Sequence, residues 1–186
     1  MKQISFKKVG GWSGRRRGAG RKKRSGLVSH ARRERVDIKK PLHITMKLKP
    51  GVAHLRNRRL LKEFRRAVGN VRGFGLFVLH YSLQGDHLHF IAEVRSSQAL
   101  GSGMKSLGSS FGKAIRRVMG GRGSVFAGRF HLHVLKTPTE VKRALKYVLL
   151  NFSKHSRLVE YIDEFSSGNA FRDWGLLTKI NQMLAN

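Results

Sequence analysis

Residues 74–94 read FGLFVLHYSLQGDHLHFIAEV, two apolar alternations joined by Gly85-Asp86, and their reading decides the fold. In the first, Phe77, Leu79, Tyr81 and Leu83 alternate with Val78, His80, Ser82 and Gln84. In the second, Leu88, Phe90, Ala92 and Val94 alternate with His87, His89 and Ile91. Period 2 is the signature of strands with one buried face. A two-residue loop with glycine first is a hairpin turn of the kind that takes a positive φ at that position. It sets Gln84 opposite His87, Ser82 opposite His89 and His80 opposite Ile91, and directly opposed residues share a face. The hairpin therefore presents one greasy face and one face lined by His80, Ser82, Gln84, His87 and His89.

Working outward, PLHITMKL at 41–48 alternates Leu42, Ile44, Met46 and Leu48 with His43, Thr45 and Lys47, a further half-buried strand. Leu60, Leu61, Phe64 and Val68 fall at helical spacing between the two strand regions. After the hairpin, Leu100, Met104, Leu107, Phe111, Ile115 and Val118 mark a long helix, and SVFAGRFHLHVLK at 124–136 a last strand. Thr137-Pro138-Thr139-Glu140 is a capping box with proline at the first helical position. The helix it opens buries Val141, Ala144, Leu145, Val148 and Phe152, with Arg143, Tyr147, Asn151 and Lys154 in a polar stripe beside them. Strand, helix, strand, strand, helix, strand is the split βαβ order, so the expected class is α+β, ferredoxin-like. It has an antiparallel sheet, helices on one face, and an additional C-terminal helix free to cover the other. Three regions are expected: a basic tail over 1–40, a folded domain over 41–155, and a short docking segment over 156–186.

Composition narrows the partner. The chain has 186 residues, 39 Lys+Arg against 10 Asp+Glu, and a net charge of +29. Such a charge self-repels unless a polyanion is the usual partner, and nucleic acid is the first choice. The tail, with Arg15, Arg16, Arg17, Arg21, Lys22, Lys23 and Arg24 among glycines, has almost nothing to bury; it is expected to be disordered when unbound and to lie along phosphates. No run of about 18 apolar residues spans a bilayer, and the basic start lacks the apolar stretch of a secretory signal. Zero cysteines exclude disulfides and thiolate zinc sites. Between Pro41 and Leu150 the only acids are Glu63, Asp86, Glu93 and Glu140, too few for the carboxylate cluster of a two-metal nuclease. Nucleic-acid chemistry here must lean on histidine, amide or hydroxyl groups.

Two His-x-His pairs compete for that role, His87/His89 and His131/His133. Such a pair is most often a solvated strand face. His87/His89 directly follows a tight turn, its imidazoles share a face, and Tyr147 and Asn151 at i and i+4 set a phenol and an amide side by side on a helix. The second pair lacks the turn, and its role stays open.

The stretches PLHITMKL, YSLQGDHLHFIAEV, GSVFAGRFH and ALKYVLLN, in that order, resemble the single-tyrosine His-hydrophobic-His (HUH) transposases. Within these, the likeness is to the REP-associated tyrosine transposases of bacteria, over about residues 41–155. The resemblance implies that His87 and His89 coordinate Mg2+ or Mn2+, with Asn151 as a third, amide-type ligand. It implies that Tyr147 attacks single-stranded DNA at hairpin ends, leaving a 5′-phosphotyrosine and a free 3′-OH that later rejoins strands. Of the other tyrosines, Tyr81 points to the apolar side of its strand and Tyr161 lies beyond the matched stretch. Phosphate or DNA contacts are expected from Arg129, His131, His43, Arg143 and Lys154 as well as the tail. The expected location is the bacterial cytoplasm, at the nucleoid, as a monomer or homodimer. After Tyr147 the related proteins continue with Asn-Pro; this chain reads NFSKHSRL, which leaves open a domesticated protein that binds nucleic acid without cutting it. A third reading, a two-histidine phosphoesterase suggested by His43-Ile44-Thr45, lacks its second His-x-Ser/Thr motif.

Overall fold

The computed structural model describes residues 36–156 and 163–168, the side chains of 151–156 excepted. The tail cations Arg15, Arg16, Arg17, Arg21, Lys22, Lys23 and Arg24 and Tyr161 lie outside the described residues, as do the side chains of Asn151, Phe152 and Lys154. Along the chain come β1 (Leu42–Lys47), α1 (Arg58–Val71), a 3-10 turn (Arg72–Phe74), β2 (Leu76–Leu83), β3 (His87–Val94), α2 (Ser97–Met119), β4 (His131–Val134) and α3 (Pro138–Ser156). The four strands form one antiparallel sheet in the order β2-β3-β1-β4. This is the split βαβ order expected from the sequence, with α3 added.

Each helix starts where its side chains satisfy the first free N–H groups. Asn57 accepts from the amides of Arg59 and Leu60, at 2.8 and 3.3 Å, and Ser96 accepts from Ala99 N at 3.0 Å. At α3, Thr137 Oγ1 accepts from Glu140 N at 3.2 Å, while Glu140 Oε2 accepts from Lys136 N at 2.7 Å. The glutamate thus reaches one residue further back than in the usual reciprocal box.

The main core lies between the sheet and α1 and α2. Leu42, Ile44, Leu88, Phe90 and Ala92 from the sheet meet Leu60, Phe64, Leu107, Phe111 and Ile115 from the helices, all at most 1 % exposed. Burying each of the larger ones stabilises by roughly 1.5–3 kcal/mol. On the opposite face a smaller cluster of Ile91, Leu135, Ala144 and Val148 seats α3 on the sheet. Ile91 belongs there because it shares the histidine face, and it is the apolar anchor that brings the tyrosine helix over that face.

Three local expectations change. The alternation of β2 breaks at Leu79, where the pairing with β3 slips between Val78 and His80. Leu76, Val78, Tyr81 and Leu83 then meet the core, while Leu79 is 45 % exposed and Phe77 lies beside the Arg95 guanidinium at 5.3 Å instead. This is a β-bulge on an edge strand, a position where one extra residue is tolerated. Gly85 is not among the positive-φ glycines, which among the described residues are Gly51, Gly75, Gly120, Gly121 and Gly123. Space there is tight: an added Cβ would sit 3.1 Å from Nε2 of the exposed His54 ring, which would have to give way, and the Gly85 carbonyl accepts from Leu55 N at 2.8 Å. The last strand is also shorter than 124–136. Phe126 bridges to Leu48, and regular pairing resumes only at His131.

Candidate functional site

Register brings the histidines together. Thr45 on β1 lies opposite His89 on β3, and on its other side opposite His131 on β4; His43 lies opposite Ile91 and His133. Ser82 on β2 completes the row with His89. One sheet face therefore carries His87 and His89 at its centre, His43 beside them, and His131 and His133 on the outer strand.

The two imidazoles of the tight-turn pair are held differently. Asp86 Oδ1 and His87 Nδ1 are 2.7 Å apart, and that hydrogen bond holds the Asp86 carboxyl below the usual carboxylate range. Thr45 Oγ1 and His89 Nδ1 are 2.9 Å apart. The rings stand edge to face, with centroids 4.7 Å apart. His89 is 6 % exposed, and burial, with the neighbouring His87 and His43, pushes its pKa down to about 3. It is therefore a neutral imidazole at ordinary pH, with a lone pair for a metal ion or a hydrogen bond. Beneath, Gln84 Nε2 donates to Ser82 Oγ at 2.6 Å, both buried.

The helix α3 lays Tyr147 over this pair. Its phenol oxygen is 3.3 Å from His89 Nε2, and its ring lies 4.9 Å from that of His89 and 5.9 Å from that of His43. The phenol keeps 37 % exposure, so it faces solvent while touching the buried imidazole. A groove of about 480 Å³ opens beside it, lined by His43, His133, Glu140, Arg143, Lys146 and Tyr147 over a floor of Leu135 and Ala144. In its wall the His43 Nε2 atom is buried without a hydrogen-bond partner, and burial, then His133, lowers the His43 pKa.

Among the described residues no three His, Cys, Asp or Glu side chains converge on one point. Of the expected ligands, His87 and His89 are brought together on the sheet face, and the side chain of Asn151 lies outside the described residues. The donor chemistry nonetheless fits a divalent ion. Each imidazole has Nδ1 tied to an oxygen partner, Asp86 or Thr45, the arrangement by which outer partners orient metal-bound histidines, and turns Nε2 the other way, that of His89 toward the Tyr147 phenol. Asn151 lies on α3 one turn after Tyr147.

The remaining expected contacts are spread. Arg143 is exposed on the groove rim, and His131 is exposed on β4. His133 Nε2 lies 3.7 Å from Glu140 Oε2, tied to the start of α3 rather than to the other pair. Arg129 sits away from the groove, near Lys105, Met46 and Phe130 in a second hollow between α2 and the stretch before β4.

Sequence reasoning missed the partners that aim the site. In sequence Asp86 reads only as a turn residue, although its place directly before His87 is a signal. Thr45 as the anchor of His89 depends on β1–β3 register, which no local turn sets. Residues 163–168 dock against β2. Arg56 forms a two-pronged ion pair with the buried Asp163, at 2.9 Å on each prong, and its guanidinium lies 4.6 Å from the Phe165 ring centroid. Ser167 Oγ lies 3.3 Å from His80 Nδ1 and accepts from Tyr81 N at 3.1 Å.

No protein-family model matches the chain, and no curated protein does. Among solved structures, it is similar to a REP-associated tyrosine transposase bound to a REP hairpin, with 17 % identity and a TM-score of 0.61 over 77 % of this chain and 84 % of the other. Four antiparallel strands, two helices behind them and a third laid across the front thus give this chain the fold of a REP-associated tyrosine transposase.

Proposed function

We propose that the protein is a metal-dependent transposase that nicks and rejoins single-stranded DNA at hairpin ends, with Tyr147 as the nucleophile. The observation that carries this reading is the 3.3 Å approach of the Tyr147 phenol to His89 Nε2, with His87 beside it. A nucleophile and a pair of metal-competent imidazoles meet on one sheet face. The shared fold supports it, since the similar structure is of a transposase bound to a hairpin.

His87, His89 and Asn151 would hold Mg2+ or Mn2+. Bound there, the ion supplies Lewis-acid polarisation of the scissile phosphate. Asp86 and Thr45 keep the two imidazoles aimed, and the buried His89 stays neutral. Tyr147 Oη forms the bond to phosphorus as the P–O3′ bond breaks; the phenolic proton passes overall to the leaving 3′-oxygen, and a later 3′-OH reverses the step. A phenol of pKa about 10 is a weak nucleophile at neutral pH, so Tyr147 would need the ion or a base to assist it. Arg143 and Lys146 line the groove as phosphate contacts, and the tail cations add contacts without reading sequence. The place of action is the cytoplasm, on nucleoid DNA.

The test is a covalent adduct. Labelled single-stranded hairpin DNA incubated with the protein and Mn2+ is expected to give a band that survives denaturation, absent with Tyr147→Phe and with His87→Ala. An adduct formed by Tyr147→Phe would place the nucleophile elsewhere. No adduct from the wild type across varied hairpins would leave a binding protein without strand chemistry.

A further inference from the structure

The helical layer, on the far side of the sheet from the histidines, carries charge that strand cleavage does not use. On α1 the core side is taken by Leu60, Leu61, Phe64, Ala67 and Val71, which leaves Arg59, Lys62 and Arg66 at i, i+3 and i+7 in the middle of the solvent face. On the flank of α2, Lys113 and Arg117 are exposed as well. The acid in these two helices is Glu63, and it is shared. Its carboxylate lies 3.7 Å from the Arg66 guanidinium and 2.9 Å from that of Arg117, so it pins two cations from two helices side by side and leaves the group net positive. A carboxylate that gathers guanidiniums without neutralising them arranges donors for an outside anion.

From this arrangement we infer that α1 and α2 form a second nucleic-acid surface, which takes the phosphate backbone of duplex DNA. The stripe of Arg59, Lys62 and Arg66 with Arg117 beside it supplies guanidiniums, which bind phosphate oxygens in pairs, and one ammonium, which meets phosphate as a point charge. An anionic membrane fits less well. The exposed large apolar side chains nearest this layer, Phe74 and Met119, follow or end the helices, and the stretch between has none to enter a bilayer. The two surfaces lie on opposite faces of a layer of helices and a layer of sheet, so one short hairpin seated at Tyr147 does not reach both. The protein is therefore built to hold two DNA segments at once. The duplex surface goes beyond the cleavage reading and stands without it, while the holding of two segments rests on that reading's hairpin at Tyr147.

The test uses the full-length protein with Arg59→Gln, Lys62→Gln and Arg66→Gln combined, and each alone, checked for an unchanged thermal transition. For duplex DNA, the slope of log affinity against log salt is expected to shrink by about 0.9 for each side chain that meets a phosphate. Wild type bound to an immobilised hairpin is expected to capture a labelled duplex; the triple variant is expected to hold the hairpin equally and to lose roughly tenfold in duplex capture. An unchanged slope and capture would overturn the inference and give bridging to the tail. Equal loss of hairpin and duplex would overturn it by showing one shared surface. Reduced binding to anionic vesicles with duplex binding intact would assign the face to membranes instead. If wild type binds no hairpin, the cleavage reading fails, while the duplex salt slope still decides this one.

Discussion

Replacing Thr45 with valine removes one hydroxyl from the wall of the site and keeps its shape. The lost contact is the 2.9 Å hydrogen bond to His89 Nδ1, on an imidazole 6 % exposed. A buried polar atom left without a partner costs about 1–3 kcal/mol. His89 keeps its Nε2 contact with Tyr147 and Thr45 is itself only half-buried, which places the expected loss near the lower end, about 1–2 kcal/mol. For a chain of this length that lowers Tm by roughly 2–8 °C. Under the proposed function, a second effect would fall on the bound ion. With Nδ1 unheld the ring can turn, and loss of such an outer partner weakens metal binding by roughly 10–100-fold. Calorimetric titration of Mn2+ into wild type, Thr45→Val and Thr45→Ser separates the two effects. Valine is expected to lower both stability and affinity, and serine to restore both. Full Mn2+ affinity in the valine variant, in a protein whose His89→Ala form has lost it, would refute the claim that Thr45 aims His89. Unchanged stability would refute the hydrogen bond itself.

The depressed His89 pKa has a pH signature. The unfolded imidazole takes up its proton near pH 6.5 and the folded one only near 3, so the unfolded state binds more protons between the two and stability falls as pH drops through that window. His43 and His80 are also lowered and act in the same direction. Urea midpoints measured without metal are expected to decline from pH 6.5 to 5, ahead of most carboxylate titration, and to decline less in His89→Gln; an equal slope in that variant would sink the assignment. Two glycines of α2 are expected to respond oppositely to alanine. Gly103→Ala drives a Cβ to 2.6 Å from Leu76 Cβ and should cost about 1–3 kcal/mol. Gly101→Ala meets open space within a helix and should stabilise by roughly 0.5–1 kcal/mol. Urea denaturation of both variants reads the pair, and a stable Gly103→Ala would show that Leu76 yields without strain.

The sheet was legible because its signals are local. Alternation in β1 and β3, a two-residue loop between β2 and β3, and the helical stripe of α2 each lie within a short window, and the antiparallel ferredoxin-like order follows from their succession. What was not legible depends on competition between faces or on distance along the chain. Phe77, Leu79, Tyr81 and Leu83 alternate faultlessly, yet Leu76 and Val78 are as apolar, and only packing against α1 and α2 decides which set turns inward. The meeting of His89 with Tyr147 joins residues 58 apart, and that of Arg56 with Asp163 joins residues 107 apart. The sequence showed which side chains share the sheet face; it did not show that Thr45 and Asp86 hold them, because both residues have ordinary reasons to sit in a strand and a turn.

The docking of residues 163–168 also bears on how the molecule avoids its own kind. An open sheet ends in a strand whose outward amides and carbonyls can template another chain. On β2 the Leu83 amide donates to Phe165 O at 2.9 Å and the Tyr81 carbonyl accepts from Ser167 N at 2.9 Å. That half of the edge is occupied by the protein's own backbone. The other half is bent out of line by the bulge at Leu79, the second common way of blunting an edge. If it crowds onto DNA as proposed, the protein meets copies of itself often. With this edge closed at one end and kinked at the other, such encounters do not grow into strand-on-strand aggregates through β2.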